Sequence, residues 1–160
     1  MLKKITPGWV ILGMLVLVGL YAWFLIRGGG EPSHLLLTFP DGTTVVAEIA
    51  DTPAQRLLGL ILKEHLPENM GMLFAFEEPD FHPVWTKNAR FPIDLIWLDS
   101  DRRVIGWEEN LMPCRVDSCP TYAPKEKKAL YALEIPTGFI KKHPLKVGMG
   151  VVFSLPDRGR

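Results

Sequence analysis

The sequence predicts a mainly β domain, a compact β-sandwich or small barrel of about eight short strands with one or two short helices. One N-terminal transmembrane helix precedes it. Three observations carry this expectation. The 14 Pro and 14 Gly are spread along the chain, which suits short strands and turns better than long helices. Apolar runs rich in β-branched and aromatic residues recur between turn-forming clusters. One long uncharged segment stands apart near the N-terminus, from Trp9 to Ile26.

Residues 1–8 carry Lys3 and Lys4 and read as a cytoplasmic N-terminus. Residues 9–26 hold no charge, and eleven of them are Leu, Ile, Val or Phe. Eighteen helical residues reach about 27 Å, close to the ~30 Å hydrocarbon core. Arg27 is the nearest cation on the far side, so the positive-inside rule places the following domain outside the cytoplasm. The rival reading is a cleaved signal peptide. The run exceeds the usual h-region, and no small-x-small site follows it. The expectation is a single-pass cell membrane protein with an extracytoplasmic domain, anchored to the membrane through residues 9–26. Residues 27–33 form a short linker, and residues 34–156 form the β domain.

Within the domain, Leu35–Phe39 and Thr44–Ile49 flank Pro40-Asp41-Gly42-Thr43, the chemistry of a hairpin turn. Thr52 with Gln55 forms a capping box and Pro53 suits a first helical position. A short helix therefore starts here and stops near Gly59, with Leu57, Leu58 and Leu60 facing the core. Strands are expected at Met72–Phe76, Val84–Lys87, Ile93–Leu98, Arg103–Glu108 and Ala129–Ile135, with a closing strand at Gly148–Leu155. Residues 110–127 lack periodicity and read as a loop holding both cysteines. Pro136-Thr137-Gly138 opens a helical turn ending before Pro144.

The most informative stretch runs from Pro83 to Asp99. Ile93–Leu98 reads as a strand buried on both faces, and Asp94 inside it is costly unless paired. On a structural reading, Asp94 accepts hydrogen bonds from Lys87 or from the turn at residues 87–90. On a functional reading, Trp85, Lys87, Asn88, Arg90 and Asp94 border a cleft for a small polar, anionic or sugar-like ligand, an aromatic platform with convergent polar groups. Cys114 and Cys119 enclose four residues in a Pro-rich loop. A structural disulfide suits an oxidising compartment; a metal pair or a redox dithiol are the alternatives. Zinc wants four ligands and this spacing supplies two.

Asp51-Thr52-Pro53, Arg56-x-x-Gly59-Leu60, Gly71-Met72-Leu73-Phe74-x-Phe76, Trp85-x-Lys87-Asn88, Pro92-Ile93-Asp94-Leu95 and Asp99, in that order, resemble one family. It is the bacterial and archaeal family of domain of unknown function 192. Pro113-Cys114, Cys119-Pro120, Leu130–Ile135 before Pro136-x-Gly138, and Lys146-Val147-Gly148 match its later blocks. The resemblance covers residues 35–155 and implies a compact β-rich domain, often exported or anchored. It implies no reaction, substrate or cofactor. Thr86 stands where the family commonly has Met and Ala89 where it has Thr. Met149 and Gly150 stand where an acid often follows Val147-Gly148.

No nucleophile elbow, phosphate loop, dinucleotide fingerprint or zincin motif is present. His34, His65, His82 and His143 are scattered through loop-like contexts. Eighteen basic and eighteen acidic residues leave no global field that would favour nucleic acid. No metal and no cofactor are expected. The sequence therefore points to a non-enzymatic binding or accessory module of the cell envelope, with a small polar ligand or an envelope protein as partner. The alternative is an enzyme acting on cell-envelope carbohydrate through paired carboxylates, with Asp94 or Glu108 and Glu109 as its acids.

Overall fold

The computed structural model describes residues 12–20 and 33–156. The chain forms two compact units, Met1–Pro32 and Ser33–Arg160. In the first, residues 12–20 are helical and their large apolar side chains are exposed. No helix among the described residues is long and apolar enough to cross a membrane. The remainder of the expected 9–26 span, the expected cytoplasmic N-terminus at residues 1–8 and residues 27–32 of the expected linker lie outside the described residues.

The second unit is built on a six-stranded sheet. Strands β1 (His34–Thr38) and β2 (Thr44–Ala50) form the expected antiparallel hairpin. Its turn relies on Gly42, whose φ of 87° is open to glycine at little cost. β2 then pairs in parallel with β3 (Met70–Asp80). A parallel pair needs a long crossover, and residues 51–69, with the Pro53–Leu58 helix, supply it. β3 pairs with β8 (Ala129–Pro136), β8 with β5 (Ile93–Leu98), and β5 with β6 (Val104–Leu111), all antiparallel. The order is β1-β2-β3-β8-β5-β6. β4 (Val84–Trp85) and β7 (Thr121–Tyr122) make a separate two-stranded sheet.

The expected sandwich or small barrel is corrected here to one mixed sheet plus a small one. The expected closing strand Gly148–Leu155 makes only isolated pairs, Thr38 with Val152 and Arg103 with Gly150. Its hydrogen bonds switch edges: Val152 exchanges two with Thr38 on β1, while Met149 and Val151 bond Val104 and Arg102 beside β6. A segment shared between two edges cannot run alongside either one. The segment touches both edges by isolated pairs, and the sheet does not close into a barrel.

β5 is buried at all six positions, as its apolar run, interrupted by Asp94, predicts. Ile96 and Leu98 point to one face with Leu73, Leu133 and Ile135, covered by Phe139, Ile140, Val151 and Phe153. Ile93, Leu95 and Trp97 point to the other face, with Met72, Phe74 and Ala132, under Leu60 and Val84. Gly71 on β3 permits close strand contact: a Cβ there would lie 2.9 Å from the Glu134 carbonyl oxygen and 3.1 Å from Ile135 Cγ2. Gly71→Ala should therefore destabilise the domain by roughly 1–3 kcal/mol, as overpacking does. An unchanged denaturant midpoint would contradict this packing.

The Pro53–Leu58 helix starts as its sequence dictates. Thr52 Oγ1 accepts from Gln55 N, and Gln55 Oε1 accepts from Thr52 N, completing the capping box. Gly59 ends the helix, its N–H donating to Gln55 O at 2.8 Å. Thr52→Ala should cost about 1 kcal/mol, read by the same unfolding titration. The inward face is the correction. Leu60 is buried, but Leu57 and Leu58 are 64% and 47% exposed. The helix buries none of its residues, because its apolar side borders a cavity instead of a filled core.

Candidate functional site

That cavity measures about 360 Å³ and opens between the Pro53–Leu58 helix and β4. Leu57, Leu58, Leu60 and Ile61 form one wall, and Phe74 and Phe76 from β3 line it as well. Val84, Trp85, Thr86, Lys87 and Ala89 form the opposite wall, with Ile93 and Glu134 from the sheet. The lining is mostly apolar.

Arg56 fixes the helix wall. Its Nη1 donates to Asp51 O at 2.7 Å and Ala75 O at 2.8 Å, and its Nη2 donates to Glu77 Oε1 at 3.0 Å. The guanidinium lies 5.4 Å from the centroid of Phe76, whose other neighbour is the stacked His82 ring at 3.7 Å. These contacts sit where β3 breaks register with β8, between Ala75 and Asp80. A register break of this kind re-aims a strand, and here it falls beside Phe76 at the cavity.

The second wall is held from behind by the cysteine loop. Cys114 and Cys119 form a disulfide. Cys114 N donates to Thr86 O, and Asn88 N donates to Cys114 O. Thr86 Oγ1 donates to Met112 O at 2.8 Å. Asn88 takes φ 58°, a conformation Asn tolerates better than most residues. Removing the disulfide by Cys114→Ala with Cys119→Ala should cost roughly 2 kcal/mol, the chain-entropy value for so small a loop. Equal unfolding midpoints for the double variant and the wild type would refute that.

The residues singled out by sequence separate into three places. Trp85, 48% exposed, and Lys87 line the cavity. Asn88 and Arg90 do not; Asn88 serves the turn, and Arg90 faces solvent with Glu64 at 3.3 Å. Asp94 lies on the opposite face of the sheet, 0% exposed. Its expected partners in the 87–90 turn are replaced by two backbone amides, Asn110 N at 2.9 Å and Ile140 N at 3.0 Å. The reason is strand parity: Ile93 faces the cavity, so Asp94 must face away. Lys87 Nζ instead lies 3.4 Å from Asp117 O.

The acid that does face the cavity is Glu134 on β8, which sequence reading passed over. It is 4% exposed. Burial alone raises its pKa to about 8, against an ordinary 4.5. No hydrogen-bonding or ionic partner reaches its carboxyl among the described residues. A detectable signal was present: Glu134 interrupts the apolar run Ala129–Ile135 just as Asp94 interrupts Ile93–Leu98. Glu108 and Glu109, the other expected acids, are neighbours on β6 and so project to opposite faces. Glu108 lies 3.4 Å from Lys125. Among the described residues no cluster of His, Cys, Asp and Glu could hold a metal ion.

Fold and cavity together define a β domain with one buried acid facing an apolar recess. The chain belongs to the family described as DUF192, Uncharacterized ACR, whose model matches residues 36–153. Two crystal structures share the fold. One is a "putative transcription regulator" from Sinorhizobium meliloti 1021, at 27% identity and a TM-score of 0.65, covering 78% of this chain and 98% of that one. The other, a protein of unknown function from Novosphingobium aromaticivorans DSM 12444, is 26% identical with a TM-score of 0.64, covering 78% and 94%. No curated protein matches the chain.

Proposed function

We propose that the domain is a non-enzymatic binding module that takes a small, largely apolar molecule into the cavity beside Glu134. One observation carries this reading: a mostly apolar recess of about 360 Å³ has a buried, unpartnered carboxyl in its lining. Binding sites for small molecules have this composition, an apolar wall with few polar groups. The lining favours an apolar occupant over the sugar-like or anionic one that Trp85, Lys87 and Asn88 suggest as a sequence. The alternative enzyme, with Asp94 or Glu108 and Glu109 as its acids, is less favoured: Asp94 is buried on two backbone amides, Glu108 and Glu109 project to opposite faces of β6, and none of the three lines the cavity. The helices of the domain among the described residues have six and four residues, too short for the recognition helix of a helix-turn-helix DNA reader.

The proposal includes the topology: a single-pass anchor at residues 9–26 with the domain outside the cytoplasm. The uncharged segment supports it, and so does the Cys114–Cys119 disulfide, which persists in oxidising compartments. Protease added to spheroplasts with an intact cytoplasmic membrane should cleave the domain from its anchor, and full protection there would refute this orientation.

Binding is tested with N-phenyl-1-naphthylamine, an uncharged dye that brightens in apolar surroundings. It should bind the wild type saturably, at one site. Trp85→Ala, a change at a half-exposed position, should weaken binding about tenfold while leaving the unfolding midpoint nearly unchanged. Unchanged affinity in that variant, or no saturable binding to the wild type, would overturn the cavity as the site.

A further inference from the structure

Resting on that reading, we infer that the ligand is an uncharged apolar molecule bearing a carbonyl-type oxygen, which accepts a hydrogen bond from the Glu134 carboxyl. A carboxyl buried without partners is held in its neutral form, and a neutral carboxyl carries one O–H donor. Buried donors are almost always hydrogen-bonded, so this one calls for an acceptor. None is supplied among the described residues. The Thr86 hydroxyl, also in the lining, gives its proton to Met112 O, and its oxygen, which could still accept, makes no hydrogen bond with Glu134.

The charged groups of the lining narrow the choice further. Arg56 from the helix and Lys87 beyond β4 are the cations that border the cavity, while β3 and β5 contribute Phe74, Phe76 and Ile93. Arg56 is held by Asp51 O, Ala75 O and Glu77, and Lys87 Nζ rests 3.4 Å from Asp117 O. Two cations on the rim oppose entry of an ammonium ligand. A carboxylate ligand would lose its hydration beside an acid that cannot neutralise it. An uncharged acceptor meets neither cost.

The test compares three probes on one aromatic frame: 2-acetylnaphthalene, 2-ethylnaphthalene and 2-naphthylmethylamine. Residues 33–160 can be used, because this stretch is a compact unit and the related S. meliloti chain is almost wholly this domain. At pH 6 the acetyl compound should bind about tenfold more tightly than the ethyl compound, and the amine weakest. At pH 9.5 the acetyl preference should vanish, while ethyl binding stays constant and so reports an intact cavity. Glu134→Gln keeps an N–H donor and should retain the preference at both pH values. Glu134→Leu should abolish it while still binding the ethyl compound. Equal affinity of acetyl and ethyl probes for the wild type overturns the carbonyl assignment and leaves the cavity reading standing. So does an amine that binds best and tightens with pH. Failure of all three probes overturns both.

Discussion

Asp94→Ala should lower the unfolding free energy by several kcal/mol, on the order of 3–5, the largest effect expected of any substitution considered. The carboxylate is fully buried and accepts two backbone N–H bonds, from Asn110 and from Ile140. Truncation strands both donors in a site that water does not reach, and each stranded donor costs about 1–3 kcal/mol. The bonds also join parts that are distant in sequence. One ties β5 to the end of β6, where Asn110 holds φ 52°, and the other secures the Phe139–Lys142 helix over the core. Hydrogen exchange should accelerate at the Asn110 and Ile140 amides in the variant. A wild-type unfolding midpoint would contradict this account of Asp94.

The second large effect concerns pH. Glu134 holds its proton up to about pH 8 in the folded domain, whereas in the unfolded chain it ionises near its ordinary 4.5. Between those values the folded state binds the extra proton, so stability falls as pH rises, by up to about 1.4 kcal/mol per pH unit. Below about 4.5 both states are protonated and the contribution is fully present. Above about 8 both are ionised and the loss levels off at several kcal/mol. Asp41, Glu68, Glu77 and Asp80 are shifted downward by hydrogen bonds and cations, so they act at the acid end instead. Glu134→Gln should flatten the curve between pH 5 and 8 and be the more stable protein at pH 8.5. Parallel curves for variant and wild type would show that Glu134 is not buried as described.

The two acids show what the sequence could and could not reveal. Ile93–Leu98 was legible as a doubly buried strand, and its acid was correctly read as needing partners. Those partners were not legible, because Asn110 N and Ile140 N are backbone groups brought in by the topology and leave no mark in residue type. The hairpin at Gly42, the capping box at Thr52 and the stop at Gly59 were legible because turn and cap chemistry is local. The parallel pairing of β2 with β3 was not, because periodicity carries no strand order. Leu57 and Leu58 looked like core residues for the same reason: a helical apolar face fits a cavity wall as well as a packed interior. Glu134 carried the same signal as Asp94, but only the fold shows that one acid is satisfied and the other is left open.

The most direct test is a crystal structure of residues 33–160 soaked with 2-acetylnaphthalene at pH 6. The naphthalene ring should lie between Trp85 and the Leu57–Leu60 wall, with its carbonyl oxygen within hydrogen-bond distance of the Glu134 carboxyl. A ligand bound elsewhere, or a cavity closed by Trp85 and Phe76 around an inaccessible Glu134, would contradict it.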